Sequence, residues 1–236
     1  MDERPVGEEV LGPRLQGKEC TIEIKAVLID LDGTITDTER IYQRRWVEAA
    51  HELGYNSFTR EDALMLRSAW YPYAVKLMRI RFGEEMNFEE LKKLCADKTL
   101  NELKETGTPL KPYAKEFLEE LKKRDKRIVL VSATRPEIIK NRLEAVGLTE
   151  FFDEVISAHG TKRGKPYPEP YLYACEVIGV SPEETIAIED SPNGVDSATS
   201  AGCNTIMVPD LTEATDEMRA KLYGYAHNLM EVLKYI

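Results

Sequence analysis

A short apolar run that ends in two carboxylates constrains the fold of this 236-residue chain more than any other feature. Residues 26–29 are Ala-Val-Leu-Ile, and a run with no polar face is typical of a strand covered by helices on both sides. Asp30 and Asp32 follow at once, although a buried carboxylate is costly unless a cation or a hydrogen-bond donor lies beside it. Gly33 and Thr34 then permit a sharp turn that directs backbone N–H groups toward a bound group. The segment therefore predicts a buried strand with a metal-assisted anion site at its carboxyl end.

The 72 residues from 38 to 109 (109 − 38 + 1) show helical patterns and nothing that resembles a strand. Thr59 to Asp62 resembles a capping box, which marks the beginning of one of these helices. A loop of more than roughly 15 residues without secondary structure is implausible in a compact domain. We therefore predict a helical domain at 38–109 that is inserted into a core at 21–37 and 110–236, and a loosely ordered leader at 1–20.

Beyond residue 112 the pattern alternates between helices and strands, which indicates a parallel sheet with helical crossovers. Further strands are expected at Arg127 to Ser132, Glu154 to Ser157, Thr185 to Asp190 and Thr205 to Val208. The helix before the first of these is predicted to turn Tyr113 and Phe117 inward. Thr134 to Glu137 fits a capping box that opens the next helix.

Charge and composition exclude some classes of partner. A formal net charge of −10 and a pI near 5.0 argue against a nucleic-acid or anionic-membrane surface, since both require basic patches. No run approaches the roughly 18 apolar residues of a membrane span. The cysteines form no C-x-x-C pair, which is typical of reduced thiols in a cytoplasmic protein; they are Cys20, Cys95, Cys175 and Cys203. Monomer and homodimer both remain open.

Four polar clusters fall at the predicted carboxyl ends of strands, where parallel sheets bind their ligands. They are Asp30 with Asp32, Ser132 with Thr134, Lys165, and Glu189 with Asp190. Each cluster alone has an ordinary explanation, as a turn, a helix cap, a surface lysine or a helix start. Together they predict a Mg²⁺ site made of carboxylates beside a phosphate site made of Ser, Lys and turn N–H groups.

The same motifs resemble, in order, those of the haloacid dehalogenase-like hydrolase superfamily. The resemblance covers roughly Ile22 to the C-terminus and favours members with a helical cap, such as β-phosphoglucomutase-like and phosphoglycolate phosphatase-like proteins. It is carried by Asp30 to Thr34 with Thr36 to Glu39, Val131 to Thr134, Lys165 to Glu169, and Ile188 to Gly194 running to Gly202. The fold that it implies is an α/β core, a Rossmann-like doubly wound parallel sheet, with an inserted α-helical cap.

The resemblance also implies a role for each cluster. Asp30 would attack phosphorus and form an aspartyl-phosphate, Asp32 would protonate the leaving alcohol and then act as base, and Lys165 would neutralise charge and orient Asp30. The cofactor would be Mg²⁺, with Asp30, Asp32, Glu189 and Asp190 as its ligands. The substrate phosphate would be bound by Gly33, Thr34, Ser132, Ala133, Thr134 and Lys165.

Phosphoryl transfer is favoured over carbon–halogen cleavage because family dehalogenases lack an acid at the place of Asp32. Tyr42 stands where β-phosphoglucomutases carry a gating histidine, and Pro112-Tyr113 stands where they usually carry Pro-Gly. We therefore expect a phosphatase acting on a small phosphorylated metabolite, with a sugar phosphomutase as the alternative. A non-catalytic binding protein would be expected to lack a nucleophile, metal ligand or lysine, and none is missing.

Four residues of the predicted cap are candidates for substrate contact, although solvated helix faces explain arginines as well. They are Arg67, Trp70, Arg79 and Arg81.

Overall fold

The computed structural model describes residues 23–236. The predicted leader at 1–20 and Cys20 lie outside the described residues.

The described chain contains six strands and ten α-helices. The strands are β1 (Ala26–Ile29), β2 (Arg127–Ser132), β3 (Glu154–Ser157), β4 (Thr185–Glu189), β5 (Asn204–Met207) and β6 (Gly224–Tyr225). The first five helices are α1 (Glu39–Glu52), α2 (Arg60–Met65), α3 (Tyr71–Phe82), α4 (Phe88–Thr106) and α5 (Ala114–Lys123). The others are α6 (Pro136–Val146), α7 (Glu169–Ile178), α8 (Pro192–Ser200), α9 (Asp216–Lys221) and α10 (Leu229–Val232). No helix of this part of the chain is long and apolar enough to cross a membrane.

The strands form one parallel sheet in the order β3-β2-β1-β4-β5-β6. This is the strand order of a doubly wound Rossmann-like sheet, so the predicted fold class is confirmed. The order reverses between β1 and β4, which lie side by side at the centre. A ligand site is therefore expected beyond the carboxyl ends of these two strands.

Both faces of the sheet are covered, which explains why β1 has no polar residue. Val27 and Ile29 pack in a cluster with apolar residues of α5, α6 and α10. Ala26 and Leu28 point the other way and pack with α7 and α8. Because side chains alternate along a strand, β1 must be apolar at every position to satisfy both layers.

Helices α1 to α4 lie between β1 and β2 in sequence and share a third apolar cluster, which includes Phe58, Met78 and Leu91. Helix α2 begins with the predicted capping box, in which Thr59 and Asp62 bond to each other's backbone N–H. The assignment of residues 38–109 to a separate cap, with a core at 21–37 and 110–236, stays a prediction.

Two local expectations are wrong. Thr134 does not cap α6: the N-cap is Arg135, which makes no side-chain cap bond, and the Thr134 hydroxyl donates to Asp32 instead. Pro136 at the first helical position has no N–H, so this helix start has one donor fewer to satisfy. Tyr113 precedes α5 with a φ of 66° and is 53% exposed, because the chain turns there before the inward face of the helix begins.

Candidate active site

The fold brings the four predicted clusters to one edge of the sheet. Asp30 directly follows β1, Ser132 ends β2 and Glu189 ends β4. Asp190 follows Glu189, and the loop between β3 and α7 carries Lys165 to the same place. The site lies where the strand order reverses, as expected for an open parallel sheet.

The Lys165 ammonium lies at the centre of this site and is fully buried. Its Nζ donates to Asp30 Oδ1 at 2.6 Å, to Glu189 Oε1 at 2.5 Å and to the Val131 carbonyl at 2.9 Å. Burial lowers the pKa of Lys165, but the two carboxylates outweigh this effect and hold the pKa above its usual value. Lys165 is therefore a charged group with all three protons engaged.

Tyr171 is a further member of the site that the sequence did not single out. Its hydroxyl donates to Glu189 Oε1 at 2.6 Å, and its side chain is fully buried on α7. Glu189 Oε1 thus accepts from both Lys165 and Tyr171, which fixes the carboxylate. A helical apolar pattern that includes a tyrosine does not reveal such a partner, because the two residues are 18 positions apart.

Asp30, Glu189 and Asp190 form a buried triad whose ligand oxygens all lie within 4.8 Å of one another. Within the described residues, Asp30 Oδ2, Glu189 Oε2 and Asp190 Oδ1 have no hydrogen-bond partner. Burial raises the pKa of Asp30 to about 7, an effect that the Lys165 ammonium opposes. Buried oxygens without partners are costly, and hard divalent cations bind carboxylate oxygens, so the donor set fits such an ion.

Asp32 is held apart from this triad by three donors. Thr38 Oγ1 donates to its Oδ1 at 2.5 Å and Thr134 Oγ1 to its Oδ2 at 2.8 Å. Arg142 of α6 also donates to Asp32 Oδ1, and it reaches Tyr42 Oη at 2.6 Å. Three donors fix the orientation of the Asp32 carboxylate.

Gly33 allows a close backbone approach in the site. Its φ is +90°, and a Cβ built there would lie 2.1 Å from Asp190 Oδ2. Its N–H donates to the Thr36 carbonyl at 2.7 Å, which closes the turn. The neighbouring Thr34 hydroxyl is buried and has no partner within residues 23–236.

A cavity of about 880 Å³ adjoins these groups. Five of the predicted site residues line it, namely Asp30, Asp32, Ser132, Ala133 and Thr134. The other five, Gly33, Thr34, Lys165, Glu189 and Asp190, do not line it. The cavity therefore gives a small molecule access to the two aspartates of the first motif.

The helices between β1 and β2 contribute much of the remaining wall, including Trp46, Tyr71 and Lys92. Lys92 Nζ lies 4.9 Å from the Tyr71 ring centroid, and burial together with Arg135 lowers the pKa of this lysine. Arg67, Lys93, Arg135 and His159 line the same cavity, so five basic residues line it. The wall also carries Glu89 and Asp97 among its acidic residues, so its charge is mixed.

Only some of the predicted substrate-contact candidates approach the site. Arg67 does, because its guanidinium contacts Asp190. Arg79 pairs with Glu84 and Arg81 with Asp62, both within the helical segment. The two arginines on α3 therefore belong to solvated helix surfaces.

A family model described as haloacid dehalogenase-like hydrolase matches residues 24–202. The chain is 28% identical over 186 residues to the phosphorylated carbohydrates phosphatase of Thermotoga maritima, covering 78% of this chain and 84% of that protein. It is 28% identical over 216 residues to the pyrophosphatase PpaX of Bacillus cereus, covering 89% and 92% of the two chains. Among solved structures, the β-phosphoglucomutase of Clostridium difficile matches with a TM-score of 0.71 and 23% identity, covering 90% of this chain and 95% of that one.

Proposed function

The chain belongs to the haloacid dehalogenase-like hydrolase family, and we propose that it is a Mg²⁺-dependent phosphatase that hydrolyses a small phosphorylated metabolite through an aspartyl-phosphate at Asp30. The observation that carries this proposal is the unequal use of the two Asp30 oxygens. Oδ1 accepts from Lys165, whereas Oδ2 has no partner within the described residues. One oxygen is held while the other is free to react.

The first chemical step uses Asp30 as nucleophile. Asp30 Oδ2 attacks phosphorus, the bond from phosphorus to the leaving oxygen breaks as Asp32 gives that oxygen a proton, and the aspartyl-phosphate forms. Lys165 keeps the carboxylate oriented through Oδ1. Ser132 lines the cavity and, with the neighbouring Ala133 N–H, is proposed to bind the phosphoryl oxygens. The Thr134 N–H donates to Ser132 Oγ at 3.0 Å and so orients this hydroxyl.

The second step returns Asp30 to its starting state. Asp32 takes a proton from water as the water oxygen attacks phosphorus, the bond from phosphorus to Asp30 Oδ2 breaks, and inorganic phosphate leaves. The three donors around Asp32 hold its carboxylate in a fixed orientation for this step. The proton that Asp32 gains is then available to the leaving alcohol in the next turnover.

The metal ligands are proposed to be the carboxylates of Asp30, Glu189 and Asp190 together with the Asp32 carbonyl. Their support is the close approach of these buried carboxylates, in which Glu189 Oε2 and Asp190 Oδ1 have no partner within the described residues. A bound Mg²⁺ would offset the negative charge of the carboxylates and of the phosphoryl group as they approach. Gly33 and Gly194 leave room for this arrangement, since a Cβ at Gly194 would lie 1.9 Å from Glu189 Oε2.

The substrate is proposed to be a small phosphorylated metabolite, and two relatives support this class by name. One is a phosphatase of phosphorylated carbohydrates and the other is a pyrophosphatase. The cavity of about 880 Å³ and its basic wall residues suit a small anion.

A cytoplasmic location is supported by three buried cysteines that form no disulfide, namely Cys95, Cys175 and Cys203.

A test of the phosphatase proposal is a panel of phosphate esters and pyrophosphate assayed for phosphate release with Mg²⁺. Hydrolysis of at least one compound is expected, with Asp30→Asn inactive and Asp196→Asn unchanged, because Asp196 only pairs with Lys221 at the surface. Absence of hydrolysis across the panel, or full turnover by Asp30→Asn, contradicts the proposal.

The mutase alternative is distinguished by the fate of the phosphoryl group. With β-glucose 1-phosphate and a bisphosphate primer, a mutase forms glucose 6-phosphate faster than free phosphate. We expect the reverse. Tyr42 supports this expectation, because it occupies the place of the mutase histidine and its hydroxyl accepts a hydrogen bond from Arg142.

A further inference from the structure

Arg67 carries a positive charge from the helical segment directly to the proposed metal ligands. It lies in the turn between α2 and α3 and is 4% exposed. Its Nη2 contacts Asp190 Oδ2 and lies 3.3 Å from the Asp190 carbonyl, and its Nη1 donates to Thr212 Oγ1 at 3.0 Å. The guanidinium therefore occupies one carboxylate oxygen of the triad.

The turn that carries Arg67 is fixed to the core on both sides of this residue. Asn193 Nδ2 donates to the Arg67 carbonyl at 2.7 Å and to the Met65 carbonyl at 3.2 Å. The Trp70 N–H donates to the Lys165 carbonyl at 2.7 Å. These contacts hold the backbone on both sides of Arg67 against the core, which places its side chain beside Asp190.

A second carboxylate lies next to the same guanidinium. Glu39 Oε2 is 3.6 Å from Arg67 Nε, and the side chain of Glu39 is 8% exposed. Arg67 Nε has no hydrogen-bond partner within residues 23–236. Glu39 can therefore accept the guanidinium if Asp190 becomes engaged elsewhere.

These contacts place two cations in competition. A divalent ion bound to Asp190 and the Arg67 guanidinium are like charges at a buried carboxylate, where repulsion is weakly screened. We propose that Arg67 competes with the divalent cation for Asp190, so that this residue lowers metal affinity and shifts to Glu39 when the metal binds. The inference rests on the metal site of the proposed function.

The consequence is a link between the helical segment and metal binding. The coupling is reciprocal: the free energy by which the Arg67–Asp190 contact weakens metal binding equals the free energy by which metal binding weakens that contact. Arg67 acts here as a positioning residue, since it acts through a metal ligand and not on the substrate.

The test is isothermal titration calorimetry with MgCl₂ on the full chain without substrate. Arg67→Met is expected to bind Mg²⁺ about tenfold more tightly than the wild type, within the usual range of coupling between sites. Arg67→Gln is expected to do the same, which guards against one variant folding poorly. Arg81→Met is the matched control, because Arg81 pairs with Asp62 away from the triad, and its affinity is expected to be unchanged.

A gain in metal affinity is a result that a merely structural role would not produce. Equal or weaker binding by both Arg67 variants contradicts this inference alone and leaves the proposed metal site intact. Absence of Mg²⁺ binding by the wild type and by both variants contradicts the metal site and the inference together.

Glu39 gives an independent second test through a double-mutant cycle. Glu39→Gln is expected to weaken Mg²⁺ binding in the wild type, because Arg67 loses its alternative partner. In the Arg67→Met background the same change is expected to have little effect. An equal loss in both backgrounds means that Glu39 acts on the metal directly, and it contradicts the proposed shift of Arg67.

Discussion

Replacement of Lys165 by methionine tests whether one buried ammonium holds the site together. The change keeps the length and much of the volume of the side chain but removes three hydrogen bonds, to Asp30, Glu189 and the Val131 carbonyl. Both carboxylates would stay buried without a cation between them. Removing one partner of a buried ion pair typically costs about 3–5 kcal/mol, so a loss of this size in the free energy of unfolding is expected.

One effect limits this loss. Burial already raises the pKa of Asp30 to about 7, and loss of Lys165 would raise it further. Asp30 can therefore bind a proton in the variant instead of remaining as an uncompensated charge. For each unit by which the pKa of Asp30 in the variant exceeds the working pH, proton binding stabilises the folded state by about 1.4 kcal/mol. The expected loss therefore stays within the range for a single broken pair.

The assay is urea-induced unfolding at pH 8 with a chelator present, so that no divalent ion compensates for the lost charge. Lys162→Met is the matched control: this lysine is exposed three positions away, and a surface change of this kind shifts stability by no more than about 0.5 kcal/mol. The double variant Lys165→Met/Glu189→Gln should recover part of the loss, because it removes one of the two buried like charges. A loss below about 1 kcal/mol in Lys165→Met would refute the burial of an ammonium between the two carboxylates.

Three further outcomes are expected. Gly33→Ala should weaken Mg²⁺ binding and lower the free energy of unfolding by more than about 1 kcal/mol, since φ is +90° and the added Cβ would meet Asp190. Gly160→Ala is the control, because a Cβ there has open space and should change neither quantity. Calorimetry measures the first quantity and urea unfolding the second. Lys92→Met should raise KM about tenfold and leave kcat nearly unchanged if Lys92 binds the substrate anion, and Lys76→Met, outside this cavity, should leave both constants unchanged. Chelation should abolish phosphate release, and added Mg²⁺ should restore it; activity that survives exhaustive chelation would contradict a metal requirement.

The sheet was largely predictable because its strands carry unusually clear signals. Residues 26–29 and 185–189 are continuous apolar or nearly apolar runs that end in acids, and they form the adjacent strands β1 and β4. The strand β6 was not predicted because it is only two residues long, Gly224 and Tyr225, and shows no alternation. A strand of this length exists through its pairing with β5, which is a tertiary effect that local sequence does not encode.

The contacts around Asp32 mark the limit of sequence reasoning at the site. Asp32 and its place after β1 followed from the sequence, but Arg142 did not. This arginine lies on α6, 110 positions from Asp32 and 100 from Tyr42, the two groups that it contacts. Helical spacing predicts which face of α6 is apolar, and it does not predict that a charged residue is buried against a distant partner.

Thr134 shows a related conflict between local and tertiary signals. The pattern from Thr134 to Glu137 suits a capping box, yet the hydroxyl donates to Asp32 at 2.8 Å. A charged acceptor forms a stronger hydrogen bond than a backbone group, and the sheet places that acceptor within reach. Local motifs at strand ends are therefore less reliable where a functional cluster competes for the same side chain.

The most direct test of the proposed mechanism is to trap the phosphorylated enzyme. The enzyme is mixed with Mg²⁺ and a substrate that it hydrolyses, and the reaction is quenched during turnover. Borohydride then reduces an aspartyl-phosphate to homoserine, and the peptides are sequenced by mass spectrometry. We predict homoserine at residue 30 and not at residue 32, only when substrate is present. Efficient turnover without any modification of Asp30, or with the label at another residue, would contradict the assignment of Asp30 as the nucleophile.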